Sequence, residues 1–224
     1  MSEPIDPRWP KVLSLAVHEF RTPMTVVSGY IRMLLKDRAG AITDQQRRLL
    51  EEAEKSCARL SALVAEVSEV SNLEAGTLTF NRQQTDLHAA ISTAVTQLPP
   101  LPDREIPVDL ELSGAPALVH GDPVRLAQAF ASIIAALRRE LVTADRMIVR
   151  EAAPAGGTLE LRIGDDDTLA AMEGDPDRPT FDEWRGGVGL SLIVARRILA
   201  AHDGQIHGAP GGRKTGAIVT LPRG

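Results

Sequence analysis

The 224-residue chain has one cysteine, Cys57, and 25 basic residues against 30 acidic ones. A single thiol excludes an internal disulfide and makes a cysteine-based metal site an unsuitable reading, so Cys57 reads as a small apolar filler in a helix. No stretch approaches the roughly 18 apolar residues that a membrane span needs, so no membrane segment is expected. Met1 to Pro10 is polar and proline-containing, unlike a signal peptide. The net charge of −5 argues against a nucleic-acid binder, which presents a basic face. Internal repeats and low-complexity tracts are also missing. What is present, 43% hydrophobic and 25% charged residues, is ordinary globular composition, enough for one large domain or two small ones. A cytoplasmic setting is expected.

Leu13, Val17, Phe20, Met24, Val27, Ile31 and Leu34 recur at alternating steps of four and three, the period of a helix-packing seam. A second helical stretch, about Asp44 to Glu74, places Ala53, Cys57, Leu60, Val64 and Val67 on a similar stripe. Asp37-Arg38-Ala39-Gly40 supplies a stop between them, and Thr43 or Asp44 can cap the next start. Two antiparallel helices cannot enclose such long seams alone. Doubling through a two-fold axis into a four-helix bundle solves this, so a homodimer is expected.

From Thr77 onward the period alternates between two and 3.6. Ile106, Val108, Leu110 and Leu112 alternate, as do Leu159, Leu161 and Ile163, and Ala217 to Leu221 makes a closing strand. Helices are expected at about 87–97, 123–141 and 189–202, with 99–103 and 164–187 as the main loops. The result is an α+β chain with two domains, 9–76 and 77–224, the second having helices on one face of a mixed sheet.

The chemistry concentrates in His18-Glu19-Phe20-Arg21-Thr22-Pro23, inside the first helix. Val17 lies on the seam, so His18 points to the bundle's flank. Imidazole is a competent nucleophile towards a phosphoryl group. Glu19 can accept or orient the ring proton, and Thr22, one turn on, can hold a water near a phosphorylated ring. Pro23 removes a helical hydrogen bond at a cost of roughly 3 kcal/mol, predicting a kink beside the nucleophile. A lone His-Glu pair would be no more than a solvated helix face, but the run HEFRTPMTVVSGYIRML resembles the phosphorylation box of two-component sensor histidine kinases.

That resemblance extends from Leu13 to Pro222. Leu73-Glu74-Ala75-Gly76 is similar to the end of the family's second bundle helix, and Asp86-Leu87 to the start of its ATPase domain. HGDPVRLAQAF, with Asp122, Arg125, Leu126 and Gln128, resembles the lead-in to its asparagine box. Asp165 matches the adenine-reading aspartate, and Gly187-Val188-Gly189-Leu190-Ser191-Leu192 the second glycine box. Ala201-His202-Asp203-Gly204 matches the segment after that box's helix. The implied fold is a helical hairpin forming a dimeric four-helix bundle, followed by a GHKL/Bergerat-type α/β sandwich. The implied cofactors are ATP and Mg, and the implied partner is a response-regulator receiver domain. His18, Glu19 and Thr22 would be catalytic; Asp165, Gly187, Gly189 and Leu190 would meet the nucleotide.

Two boxes depart from the pattern. The asparagine positions hold Ser132 and Ala136, and a methyl group offers magnesium no oxygen. The two glycines expected after Asp165 are Asp167 and Leu169, and Asp165-Asp166-Asp167 sets negative charge where phosphates would approach. Three readings follow: an ATP-dependent histidine kinase, an ATP-independent histidine phosphotransferase with a vestigial nucleotide site, or a non-catalytic dimeric adaptor.

Overall fold

The structure is a computed structural model describing residues 9–152, 157–184 and 189–224. The chain divides into two compact units, with the boundary between Leu78 and Thr79.

The first unit is an antiparallel hairpin of α1 (Trp9–Leu35) and α2 (Asp44–Glu74). Helix α1 runs unbroken through Pro23. The turn after it is made by Asp37 in the left-handed region (φ 54°) and held by Arg47, which reaches the Leu35 carbonyl (2.8 Å) and the Asp37 carboxylate (3.0 Å). Thr43 caps α2 in a capping box. Its hydroxyl accepts the Gln46 N–H (3.2 Å), and the Gln46 side chain accepts the Thr43 N–H (2.8 Å). At the open end of the hairpin the buried Ser71 hydroxyl donates to the Pro10 carbonyl (2.7 Å).

The hairpin buries only part of the expected seam. Val17 and Ile31 are buried, and Leu13, Met24 and Leu34 are half-buried, whereas Phe20 and Val27 stay exposed. Of the fourteen large exposed apolar side chains among the described residues, ten lie in this unit, including Trp9, Val12, Phe20, Val27, Tyr30, Leu49 and Leu60.

The second unit contains β1 (Gln83–Asp86), α3 (Leu87–Thr96), β2 (Val108–Glu111), β3 (Leu118–Gly121), α4 (Pro123–Glu140), β4 (Met147–Glu151), β5 (Thr158–Gly164), α5 (Asp166–Gly174), α6 (Ser191–Ala201), β6 (Gln205–Gly208) and β7 (Ala217–Pro222). Strands β1 and β3 form a two-stranded antiparallel sheet. The main sheet has the order β2-β4-β5-β7-β6, with β2 parallel to β4 and the other pairs antiparallel.

Register separates its faces. Val149, Leu161, Ile163, Ala217 and Val219 lie on one face and are all buried, towards the layer of α3, α4 and α6. Ile148, Arg162 and Ile218 lie on the other. There Ile148 and Ile218 form a cluster with Leu169, Met172 and Ala209. Two expectations are thereby corrected. The stretch after Gly164 is not a continuous loop but begins with α5, and helices cover both sheet faces. Asp165 caps α5 by accepting the Thr168 N–H (2.8 Å), and Leu169 and Met172, three apart, give it an inward edge. Gly164 and Gly216 let α5 approach, since a Cβ at Gly216 would sit 2.5 Å from Thr168 Cγ2 and 2.6 Å from Met172 Cε.

Candidate functional site

His18 and Thr22 lie one turn apart on α1, both exposed. The His18 side chain is 76% exposed and that of Glu19 71%. His18 Nδ1 lies 3.5 Å from Glu19 Oε1, the outer limit of a hydrogen bond. No hydrogen bond engages Nε2 among the described residues, and the side chain is largely open to solvent. Pro23 deprives the Glu19 carbonyl of its helical N–H partner. Two residues on, the Thr25 hydroxyl donates to the Arg21 carbonyl (2.8 Å). The three residues that the sequence assigns to catalysis thus share one exposed stretch of helix with no competing ligand among the described residues.

The residues that the resemblance assigns to a nucleotide are arranged differently. Asp165 uses one oxygen to cap α5. Leu169, standing where a glycine would open the backbone, is fully buried (0% exposed) in the cluster against the sheet. Ala136 is 1% exposed on α4, which packs against both α3 and α6. Asp166 pairs with Arg146 (2.7 Å), which holds its carboxyl below the usual range and partly cancels the aspartate cluster. Gly189 has φ 64°, and Leu190 precedes α6 with no side-chain cap. Gly187 lies outside the described residues. Among the described residues, the position that the resemblance gives to magnesium is a buried methyl, Ala136, and the one it gives to the second glycine is a buried leucine, Leu169, and these two do not fit Mg·ATP.

One arrangement had no signal in the sequence. His88 Nε2 sits 3.0 Å from Glu151 Oε2, which also accepts the Ser113 N–H (2.9 Å), and Arg223 approaches the other oxygen (3.6 Å). Burial pushes the Glu151 carboxyl up, but the Ser113 hydrogen bonds and His88 together hold it below its ordinary value. These residues come from four distant segments, so only the fold brings them together.

The His Kinase A (phospho-acceptor) domain family matches residues 11–76, the span of α1 and α2. Sensor protein GacS of Pseudomonas syringae pv. syringae is 27% identical over 205 residues, 84% of this chain and 22% of that protein. Signal transduction histidine-protein kinase BarA of Escherichia coli (strain K12) is 28% identical over 203 residues, again 84% of this chain and 22% of that protein. The chain therefore spans about a fifth of the length of these relatives. Among solved structures, full-length ShkA in complex with AMPPNP superposes with a TM-score of 0.72 at 22% identity, covering 95% of this chain and 46% of that one. The chain is thus similar to two-component sensor histidine kinases, through the phospho-acceptor domain over residues 11–76 and through relatives under 30% identical over most of its length. Among the described residues, no helix is long and apolar enough to cross a membrane.

Proposed function

We propose that this chain is a homodimeric histidine phosphotransferase of a two-component relay, carrying a phosphoryl group on His18 between receiver-domain aspartates. The observation that carries the reading is His18 itself: exposed on α1, with the Glu19 carboxylate 3.5 Å from Nδ1 and no hydrogen bond at Nε2 among the described residues. The Nε2 lone pair attacks phosphorus of a receiver's aspartyl phosphate, the P–O bond breaks, and the aspartate leaves as a carboxylate. Nδ1 gives its proton to Glu19, which keeps the phosphorylated ring neutral. Transfer to a second receiver reverses each step. Thr22 places a water or contacts a phosphoryl oxygen.

Dimerisation is supported by the exposed apolar stripe of the hairpin, which is left for a second copy to cover. The proposal takes phosphoryl groups from a receiver rather than from ATP because Ala136 and Leu169 are buried in packing. A kinase reading is favoured by Gly189 before α6 and by the AMPPNP bound in ShkA.

The test supplies two labelled donors separately, Mg·ATP and a phosphorylated receiver domain. Label passing from the receiver alone supports the phosphotransferase. Label from Mg·ATP that disappears in His18→Gln establishes the kinase instead.

A further inference from the structure

The first residues of the second unit are fastened at one junction. His202, at the C-terminal end of α6, is 3% exposed. Its Nε2 is the acceptor for the Asp122 backbone N–H (3.0 Å), and its Nδ1 is the donor to the Ile198 carbonyl (2.7 Å). A backbone N–H can only donate and a carbonyl can only accept, so the ring is fixed as the neutral Nδ1–H tautomer. Its edge packs against Phe80, with ring centroids 5.1 Å apart and planes at 79°. Asp122 in turn accepts the Asn81 N–H at Oδ2 (2.9 Å) while Oδ1 caps α4 through Val124 and Arg125 (3.1 Å each). Arg82 donates to the Ala201 carbonyl and lies 3.9 Å from Asp203. Phe80, Asn81 and Arg82 are therefore all clamped to Asp122 and the end of α6.

We propose that His202 is the pin of an acid-sensitive clasp: protonation of Nε2 turns its acceptor into a donor facing the Asp122 N–H, and the connector Phe80–Arg82 comes free. The groups facing the ring are Asp122 at the head of α4, Asp203 after α6, and Arg82 from the connector. The two carboxylates favour the proton, whereas Arg82 opposes it. Burial, the largest influence, holds the imidazole below its ordinary value of 6.5, so the clasp stays closed at neutral pH. The sign follows from linkage. The unfolded ring binds its proton near pH 6.5 and the folded ring only at lower pH, so junction stability falls as pH drops below about 6.5.

Amide hydrogen exchange at Asn81 and Asp122, corrected for the intrinsic pH dependence, tests this between pH 7.5 and 5, alongside NMR titration of the His202 ring. Protection at these two amides is expected to fall at least tenfold while β5 and β7 stay protected, in step with protonation of the ring. In His202→Gln, whose amide oxygen can accept the Asp122 N–H without titrating, protection should not change with pH. Connector protection that is constant while the His202 ring titrates overturns the proposal. Equal loss in His202→Gln, or loss only together with β5 and β7, overturns it too.

Discussion

Leu169 stands where the kinase pattern has a glycine, and by that pattern alone Leu169→Gly would open the backbone to a nucleotide. The structure predicts loss of stability instead. Leu169 is 0% exposed among Ile148, Met172, Ala209 and Ile218. Truncating a buried leucine to alanine costs about 2–5 kcal/mol, and glycine in a helix interior adds roughly 1 kcal/mol. The sum, about 3–6 kcal/mol, is a large share of the 5–15 kcal/mol that holds a typical domain. For a domain of this size the Tm should fall on the order of 10 °C. Asp167→Gly, at an exposed position in the first turn of α5, should cost only about 1 kcal/mol and serves as control. Scanning calorimetry of both variants measures the difference, and titration with Mg·ATP follows on whatever remains folded. A Leu169→Gly protein that melts with the wild type and gains nucleotide affinity would refute the placement of α5 against the sheet.

Val27 is 48% exposed on the hairpin, so Val27→Glu should leave α1 and α2 folded but yield monomers, whereas buried Ile31→Glu should unfold the hairpin; light scattering and circular dichroism together separate these outcomes. Glu19→Ala should slow phosphoryl gain at His18, and Thr22→Ala should mainly slow removal of phosphate from a receiver; equal loss of both activities in each variant contradicts the assigned roles. Glu151 contributes stability that is present above its unfolded pKa, near the ordinary 4.5, and is lost as pH falls through its depressed folded value. Glu151→Gln should therefore flatten the acid limb of the urea midpoint between pH 5 and 3, and an unchanged limb contradicts the account.

The hairpin was legible because its information is local. A long four-three period, a stop at Asp37 to Gly40 and the Thr43 cap lie within consecutive residues. What the sequence could not apportion was the seam: Val17 and Ile31 pack inside one chain, while Phe20 and Val27 are left outward. Strand β4 escaped notice because Met147, Ile148 and Val149 are buried on both faces and show no alternation. Strands β1 and β3 have only four residues each, and β1 is polar. Helix α5 was hidden because only Leu169 and Met172 give it a clear apolar edge, after three aspartates that read as a loop. His18 and its neighbours could be found because their arrangement is set by one helix. The fate of the nucleotide positions depended on tertiary packing, which the substitutions at Ala136 and Leu169 signalled but did not describe.

The central claim is that phosphoryl transfer passes through His18. Incubation with a labelled phosphorylated receiver domain, followed by peptide mapping, tests it directly. The account predicts a single phosphoramidate on His18, labile in acid, stable in base and absent from His18→Gln. Label retained by His18→Gln, or mapped to any other residue of the wild-type chain, would contradict it.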